Sequence, residues 1–380
     1  MAGAGFVVQG WCPGALRPMM SGDGLVVRVR PDAGRLSKMQ AAGIAAAAQA
    51  HGNGVIDLSG RGNVQLRGVT EASHPALIAD LRALGLIDAD AAQEAQRNLL
   101  VTPFADAATE ALAQTLAAAL GDMPILPGKF GFAIDTGPAP VLHSVSADIR
   151  LERDSAGGLI LRCDGLPMGA PVSRANVGQH AVALAQWFIA SGGVTDGRGR
   201  MAGLIARGVR PKGPLAGTVA PAPAASPPAP GLSPQGAMVG FEFGQMQAGT
   251  LAALAQLGDL RVTPWRMLLI RGLTRLPGLP GLVLSADDPL RRVAACTGAP
   301  GCLQAHAPVR PLARRLAPLI PDGKVLHVSG CAKGCAHPAV ADVTLVATPR
   351  GFDRILHGTA QGTSDAQGLS APDIDLKGLF

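Results

Sequence analysis

The spacing of apolar and polar residues predicts a strand-helix-strand unit near the start of the chain. Residues 25–30 alternate as in a β-strand, a turn follows, and Ser37 stands where it can cap a helix. The order resembles half of a ferredoxin-like sandwich. The predicted elements are strands at 25–30, 55–58 and 63–67 and helices at 41–50 and 74–84.

The same order returns after Pro234, with a strand at 238–243, a helix at 251–257 and strands within 260–272. Two related halves generally pack about a pseudo-two-fold axis with a ligand site between them. Aligned by eye, Arg61 lies opposite Arg266, and Arg67 lies opposite Arg271 with a one-residue slip. Because the strand-helix-strand unit is common, a chance similarity is the alternative.

The rest of the chain has the pattern of α/β domains joined by a linker. Residues 214–236 are rich in Pro and Ala and lack periodicity, which is typical of an extended, solvated linker. The tail after Gly358 is weakly patterned. The other predicted elements are helices at 105–120, 177–190 and 310–319 and strands at 126–135, 145–150, 159–163, 324–328 and 341–346.

The length of the chain allows several domains, and its composition is typical of a cytoplasmic protein. The chain has 380 residues, enough to bury a sizeable core, and contains no Tyr, so no tyrosine can serve as acid, radical or ligand. The N-terminus lacks a basic segment followed by an apolar run, and no stretch approaches the ~18 uninterrupted apolar residues of a membrane helix. We therefore expect a cytoplasmic protein without a membrane partner, in which thiols stay reduced.

The basic charge favours a small polyanion over a nucleic acid. The net charge is +6 and the pI about 9.3, but the arginines are scattered singly and no basic block alternates with aromatic residues. A guanidinium is a rigid fork that binds carboxylates in a bidentate manner. Most individual arginines are still expected to be ordinary surface residues.

Four of the six cysteines form two pairs, Cys296 with Cys302 and Cys331 with Cys335, spaced C-x5-C and C-x3-C among Gly, Pro and small residues. Four thiolates are the full ligand set of a 4Fe-4S cluster, and small residues let peptide N–H groups approach its sulfides. A zinc site is the alternative, although zinc pairs are usually closer in sequence, and disulfides are a third reading. The remaining two cysteines, Cys12 and Cys163, are expected to be buried apolar thiols.

Together these motifs resemble the sirohaem-dependent sulfite and nitrite reductase superfamily. The resemblance covers nearly the whole chain and implies a 4Fe-4S cluster on the four paired cysteines, with Cys335 at the position that bridges cluster and sirohaem iron in the reductases. It also implies anion binding by Arg61, Arg97 and Lys129. Gly131 stands where the reductases have a second lysine, which counts against multi-electron reduction of sulfite or nitrite.

Within this superfamily the closer resemblance is to the precorrin-3B synthases. It rests on the motifs at 11–14, 21–25, 51–54, 261–266 and 334–338. It implies a monooxygenase of aerobic cobalamin biosynthesis that hydroxylates precorrin-3A and forms a γ-lactone, using O2, a 4Fe-4S cluster and a mononuclear non-haem iron. Since the chain has no dinucleotide-binding Gly-x-Gly-x-x-Gly fingerprint, electrons from NADH are expected through a separate reductase.

The resemblance assigns candidate roles to particular residues. Trp265 is read as core or as a stacking wall for the macrocycle. The residues expected to bind substrate carboxylates are Arg61, Arg67, Arg97, Lys129, Arg266 and Arg271. The candidate catalytic residues are His337, Arg61, Arg97 and Lys129. The candidate iron ligands are His337, His51, His306, His327 and Asp57.

The predicted fold is α+β, with duplicated ferredoxin-like half domains and α/β domains for tetrapyrrole and cluster. The predicted domains are the first half domain at 1–85, the tetrapyrrole-binding domain at 86–213, the linker at 214–236, the second half domain at 237–285 and the cluster-binding domain at 286–380. Two other functions remain as alternatives, a sirohaem-dependent reductase and a four-cysteine zinc protein that assembles with other molecules.

Overall fold

A computed structural model describes residues 12–377 and 380, so Trp11 of the first motif lies outside the described residues. The first half domain confirms the predicted strands and helices. Ser37 caps the first helix: its hydroxyl accepts the N–H of Gln40, and the Gln40 side chain accepts the N–H of Ser37. The elements are β1 Met19–Ser21, β2 Gly24–Val29, β3 Arg35–Leu36, α1 Lys38–His51, β4 Val55–Leu58, β5 Val64–Val69 and α2 His74–Ala83.

An α/β domain follows, built on a five-stranded sheet. Four strands run in one direction and β9 runs in the other, in the order β10-β9-β8-β7-β6, with α4 and α5 packed against the sheet. Phe130, Phe132 and Phe188 lie in its core. The elements are α3 Ala91–Gln96, β6 Leu99–Val101, α4 Ala107–Ala119, β7 Phe132–Asp135, β8 Ile149–Arg153, β9 Leu159–Cys163, β10 Ala170–Val172, α5 Val177–Ala190 and α6 Met201–Ala206.

The segment predicted as a solvated linker is mostly exposed but is tied to this domain. Val219 and Pro221 form isolated β-bridges with Gly169 and Asp154, and the N–H of Ala222 donates to the carbonyl of Arg153. Its last residues already belong to a strand of the second half domain. The linker is therefore shorter than predicted.

The second half domain exchanges an edge strand with the first. Its β13 pairs with β4 of the first half, and β3 of the first half pairs with β14 of the second, while α1 packs on α7. The two halves thus share one core. The elements are β11 Gly231–Ser233, β12 Gly236–Phe241, β13 Gln245–Gln247, α7 Ala248–Leu257, β14 Leu260–Val262, β15 Met267–Arg271 and β16 Leu282–Val283.

Strand register corrects the alignment of the two halves. Ile56 pairs with Leu66, and Leu260 pairs with Ile270, so these pairs are counterparts. Counting from them, Trp265 is the counterpart of Arg61, Arg266 of Gly62, and Arg271 of Arg67. Gly62 and Arg266 share a positive φ, 66° and 58°. The match of Arg61 with Arg266 is wrong by one residue, and no slip is needed for Arg67 and Arg271.

The last domain has the same topology as the first α/β domain, so the duplication includes the α/β domains as well as the half domains. Val293 pairs with Leu326 and Leu326 with Val343, as Leu99 does with Phe132 and Phe132 with Ile149. The elements are β17 Val293–Ala295, α8 Arg310–Leu316, β18 Leu326–Ser329, β19 Ala341–Thr348, β20 Gly351–Gly358 and β21 Ala366–Leu369, with sheet order β17-β18-β19-β20-β21.

The weakly patterned tail is docked in its described part, because β21 joins the sheet and Ile374 and Leu376 are buried. No helix among residues 12–377 has the length and apolar character needed to cross a bilayer.

We expect Asp135, at the end of β7, to make stability fall as the pH rises from about 4 to about 6. Its Oδ2 accepts the N–H groups of Val141 and Leu142 at 2.6 and 2.7 Å, and burial raises its pKa to about 6 from the usual 3.8. In that interval the folded chain holds a proton that the unfolded chain has released. The resulting loss is about 3 kcal/mol by pH 7.

Asp135→Asn is neutral at every pH and keeps an oxygen acceptor, so it should lack this loss. Urea unfolding of both proteins at pH 4 and pH 7 measures the difference. An identical pH dependence for the two proteins would show that Asp135 titrates normally.

Candidate functional site

All four paired cysteines line one cavity, called here the cysteine cavity. Cys296 and Cys302 lie in the loop after β17, and Cys331 and Cys335 in the loop after β18. Since β17 and β18 are adjacent parallel strands, their carboxyl ends bring the two loops together. The opposite wall consists of the 57–60 segment of the first half domain with Phe243 and Arg266 of the second. The cavity therefore lies where three domains meet.

The cavity wall is chemically suited to a cluster. The Cys296 Sγ accepts the N–H of Gly330 at 3.2 Å, an interaction that stabilises a ligating thiolate. Burial raises the pKa of Cys296, so metal binding would release a proton here. A Cβ at Gly330 would stand 2.7 Å from the Ala305 Cβ, so this close backbone approach depends on glycine.

A single metal ion fits these residues less well. Among residues 12–377 and 380, no three His, Cys, Asp or Glu side chains come together as ligands of one ion. In a 4Fe-4S cluster each cysteine binds a different iron, so four thiols around a cavity need not converge. The arrangement suits a cluster better than a tetrahedral zinc site, which needs four converging ligands.

Three guanidinium groups face the same cavity, those of Arg28, Arg266 and Arg310. Arg28 donates from Nε and Nη2 to the Gln65 Oε1. Arg310 donates to the Cys296 carbonyl and lies over the Phe243 ring at 5.9 Å. Burial lowers the pKa of Arg28 and of Arg310.

Sequence reasoning found only Arg266 of these three. Arg28 was visible as a polar position in an otherwise apolar strand, and Arg310 as the first residue of the helix that follows the first cysteine pair. Neither signal distinguishes a cavity wall from an ordinary surface.

The three anion-binding candidates are Arg61, Arg97 and Lys129. They lie behind the turn at residues 59–62, which closes the cysteine cavity on that side. The Arg61 Nη1 donates to the Lys129 carbonyl at 3.2 Å, whereas the Lys129 side chain is exposed. Arg97 holds Asp88 through two hydrogen bonds of 2.7 and 3.0 Å and also donates to the Arg30 carbonyl. Most of the hydrogen-bonding capacity of Arg97 is therefore used within the protein.

Gly131 packs closely against Asn98 and lies beside Arg61. A Cβ at Gly131 would stand 3.1 Å from the Asn98 carbonyl oxygen and 3.9 Å from the Arg61 Nη1. Its N–H donates to the fully buried carboxylate of Asp148, which also binds Arg200.

The surroundings of Arg67 favour a structural role over the predicted role in substrate binding. Its buried guanidinium binds Asp23 at 2.6 and 2.8 Å and Asp57 at 3.2 Å, and donates to the Gly301 carbonyl at 2.7 Å. It ties the first half domain to the loop that carries Cys302. We interpret Arg67 as a structural residue because its donors already have partners.

Arg271 does not line the cysteine cavity, and its role in substrate binding stays a prediction. It is exposed and lies 3.9 Å from Glu110 of α4. Arg67 and Arg271 are related by the pseudo-two-fold axis, so their side chains meet different domains. Arg67 faces the cluster-binding domain, and Arg271 faces the first α/β domain.

The histidine candidates do not assemble into an iron site. His51 pairs with Asp80 at 2.8 Å, and the exposed His306 does not line the cavity. His327 is fully buried against the ring of His337, and His337 donates to the Val340 carbonyl. Asp57 lines the cavity but binds Arg67 and Gln245. No iron-ligand set follows from these positions.

The remaining candidates have simpler surroundings. Trp265 is half-buried beside Phe104 and outside the cysteine cavity, which favours a packing role. Cys163 is buried, and burial raises its pKa to about 12, as expected of an inert thiol. Cys12 is half-buried and hydrogen-bonds Arg28, so it is not an isolated apolar thiol.

Comparisons with known proteins agree with this architecture. Residues 17–84 match the nitrite/sulfite reductase ferredoxin-like half domain. Over 94% of its length the chain is 31% identical to a curated precorrin-3B synthase of Sinorhizobium sp, and the match covers 85% of that relative.

Among solved structures, the NirA protein of Mycobacterium tuberculosis matches with a TM-score of 0.65 over 90% of this chain and 76% of that one. At 20% identity this likeness shows the fold. The predicted duplicated nitrite/sulfite reductase-like fold is confirmed.

Proposed function

This chain belongs to the precorrin-3B synthase family, and on that premise we propose that it is an oxidoreductase of cobalamin biosynthesis that converts precorrin-3A to precorrin-3B. In the proposed reaction one atom of O2 enters a ring carbon of the macrocycle and the other leaves as water, with two electrons from an external donor. A neighbouring acetate then closes a γ-lactone. The observation that carries the proposal is the cavity lined both by the four cysteines and by Arg28, Arg266 and Arg310.

The wall of the cavity suits an anionic macrocycle. Precorrin-3A carries acetate and propionate groups on its rim, and guanidinium forks pair with carboxylates through charge-assisted hydrogen bonds. Arg266 has a positive φ, 58°, and its side chain packs across Gly244, so the backbone holds it at the cavity edge. Leu58 and Phe243 add apolar surface for the face of the ring.

Cys296, Cys302, Cys331 and Cys335 would hold the 4Fe-4S cluster, which when bound supplies single electrons to the cavity. The chain's own part is to position this group. Gly330 donates to one ligand sulfur, and Arg310 fixes the Cys296 carbonyl and leaves its guanidinium beside the cavity. Cys335 is exposed, which leaves it accessible to a molecule in the cavity.

We propose that the electrons come from NADH through a separate reductase, because the sequence carries no dinucleotide-binding fingerprint. The family's mononuclear iron has no matching ligand set among residues 12–377 and 380. We derive no step from such an iron.

The direct test of the function is turnover with labelled oxygen. The anaerobically purified protein, loaded with its cluster, is mixed with precorrin-3A, a chemical reductant and 18O2. The product is expected to gain one labelled oxygen atom by mass spectrometry. Unchanged precorrin-3A under these conditions, together with reduction of sulfite or nitrite, would assign the chain to the reductase chemistry of the superfamily instead.

Arg266→Met should weaken binding of an octacarboxylate macrocycle about tenfold, the loss of one charge-assisted contact. Methionine keeps an unbranched apolar stem and removes only the charged fork. Uroporphyrin III serves as the macrocycle, and its dissociation constant is measured by fluorescence titration. The matched control is Arg291→Met, because Arg291 lies outside the cysteine cavity and binds the Ala286 carbonyl. Equal affinities for both variants would remove Arg266 from the binding site.

A further inference from the structure

A smaller pocket lies behind the cysteine cavity, between the first half domain and the first α/β domain. We call it the inner pocket, and its wall includes Arg30, Arg61, Arg97, Asn98 and Gly131. The turn at 59–62 separates the two spaces: Gly60 lines the cysteine cavity, and Arg61 lines the inner pocket.

Two arginines of one strand connect these spaces. Arg28 near the end of β2 and Arg30 just after it are two residues apart, so their side chains leave the extended chain on the same side. Arg28 lines the cysteine cavity and Arg30 the inner pocket. Two residues of an extended strand span about 7 Å, so a ligand that binds at Arg28 lies about that far from Arg30.

Arg30 is the unusual member of the inner pocket. It is 5% exposed, and its Nε and Nη1 have no hydrogen-bond partner among residues 12–377 and 380. The nearby Glu94 uses its carboxylate to accept the N–H groups of Ala15 and Leu16. Burial lowers the pKa of Arg30 to about 10. A buried charge without hydrogen-bonding partners is costly, so a compensating anion is expected.

The rest of the wall adds positive charge. Arg61 gives one N–H to the Lys129 carbonyl and has no carboxylate partner in the described part of the chain. Gly131 has no side chain, and a Cβ there would stand 3.1 Å from the Asn98 carbonyl oxygen and 3.9 Å from the Arg61 Nη1. The pocket wall is therefore closely packed at Gly131.

The counterpart pocket in the second half shows that the fold does not require these charges. Ala33 and Phe243 have matching positive φ values, 48° and 53°, in equivalent turns, which makes Gly240 the counterpart of Arg30. Trp265 is the counterpart of Arg61. Gly240 and Trp265 line that pocket at the two equivalent positions, whereas its arginines, Arg266 and Arg291, come from other positions. The buried Arg30 and the half-buried Arg61 are thus particular to one half of a duplicated frame.

We propose that the inner pocket binds a carboxylate group through Arg30 and Arg61. The inference rests on the proposed function in one respect: the carboxylate is taken to be a side arm of the macrocycle whose ring occupies the cysteine cavity. A free small carboxylate has the same chemistry and is the other source.

The test compares the cluster-loaded wild-type protein with Arg30→Met and with Arg291→Met as matched control. Uroporphyrin III affinity and the thermal unfolding midpoint are measured, the latter in sodium acetate against sodium chloride of equal ionic strength. Arg30→Met should bind uroporphyrin III at least about tenfold more weakly than wild type, whereas Arg291→Met stays within about twofold. Acetate should raise the unfolding midpoint of wild type and not that of Arg30→Met.

The two probes separate the sources of the carboxylate. A lost acetate effect with unchanged uroporphyrin III affinity assigns the inner pocket to a free small carboxylate. If both probes act on Arg30→Met as on wild type, the inference is overturned and a trapped water serves Arg30 instead. Arg30→Lys, which keeps the charge and loses the Nε and Nη1 fork, provides a second variant with the same expected loss should Arg30→Met fold poorly.

Failure of this inference is distinguishable from failure of the proposed function. Uroporphyrin III binding that depends on Arg266 and not on Arg30, with no acetate effect, overturns the inner-pocket site alone. If uroporphyrin III does not bind at all, the macrocycle proposal fails, and the acetate comparison still decides whether Arg30 binds a carboxylate.

Discussion

Cys331→Ser is expected to remove the 4Fe-4S cluster and to reduce turnover to the background rate while the protein stays folded. Cys331 is buried in the loop after β18. Because its position is shielded, an exposed thiol cannot readily reach it and replace Cys331 as a ligand. A serine hydroxyl is not deprotonated at neutral pH and binds iron far less well than a thiolate. Iron and sulfide content, visible absorbance and far-ultraviolet circular dichroism measure the outcome.

Cys163→Ser is the matched control, because it makes the same change of sulfur to oxygen outside the cysteine cavity. Cys163 is buried at the end of β9 in the core of the first α/β domain. Its replacement should cost stability, up to about 2 kcal/mol, and leave iron content unchanged. A Cys331→Ser protein with full activity and no cluster would contradict the assignment of electron transfer to these cysteines.

Arg67→Met is expected to lower the free energy of unfolding by about 3 to 5 kcal/mol, as happens when one partner of a buried ion pair is removed. Without Arg67, Asp23 and Asp57 lose their shared cation, and the Gly301 carbonyl loses its donor. The loop between Cys296 and Cys302 should then hold the cluster less firmly. Urea unfolding at pH 7 and iron content after gel filtration measure both effects.

The pseudo-two-fold axis supplies the control, since Arg271 is the counterpart of Arg67. Its side chain is exposed and 3.9 Å from Glu110, so Arg271→Met should change stability by less than about 1 kcal/mol. If Arg67→Met proves as stable as Arg271→Met yet binds uroporphyrin III weakly, Arg67 belongs to the binding site as the sequence first suggested.

Sequence patterns located the long elements because these carry enough periodicity. Helix α5 spans the predicted 177–190, and the strands of the first half domain lie where alternation placed them. The strand exchange between the halves was not predictable, because β3 has two residues and β13 has three. Such short edge strands contain no periodic signal of their own.

The cysteines were identifiable because ligand spacing is a local property of sequence, whereas the roles of the arginines depend on distant partners. Arg67 and Arg271 occupy equivalent positions, yet only Arg67 meets Asp23 and Gly301, and Gly301 lies far along the chain. Arg30 likewise looked like any arginine beside a proline. Only the folded structure shows that its Nε and Nη1 are buried without a hydrogen-bond partner among residues 12–377 and 380.

The central claim is that the four paired cysteines hold a 4Fe-4S cluster in a cavity whose macrocycle is substrate. The most direct measurement is the ultraviolet-visible spectrum of protein purified without oxygen, before and after dithionite, with iron and sulfide analysis. We predict a broad brown absorbance that bleaches on reduction, about four irons and four sulfides per chain and no intense haem band. A sharp sirohaem band that stays with the protein, or colourless protein carrying zinc, would contradict the account.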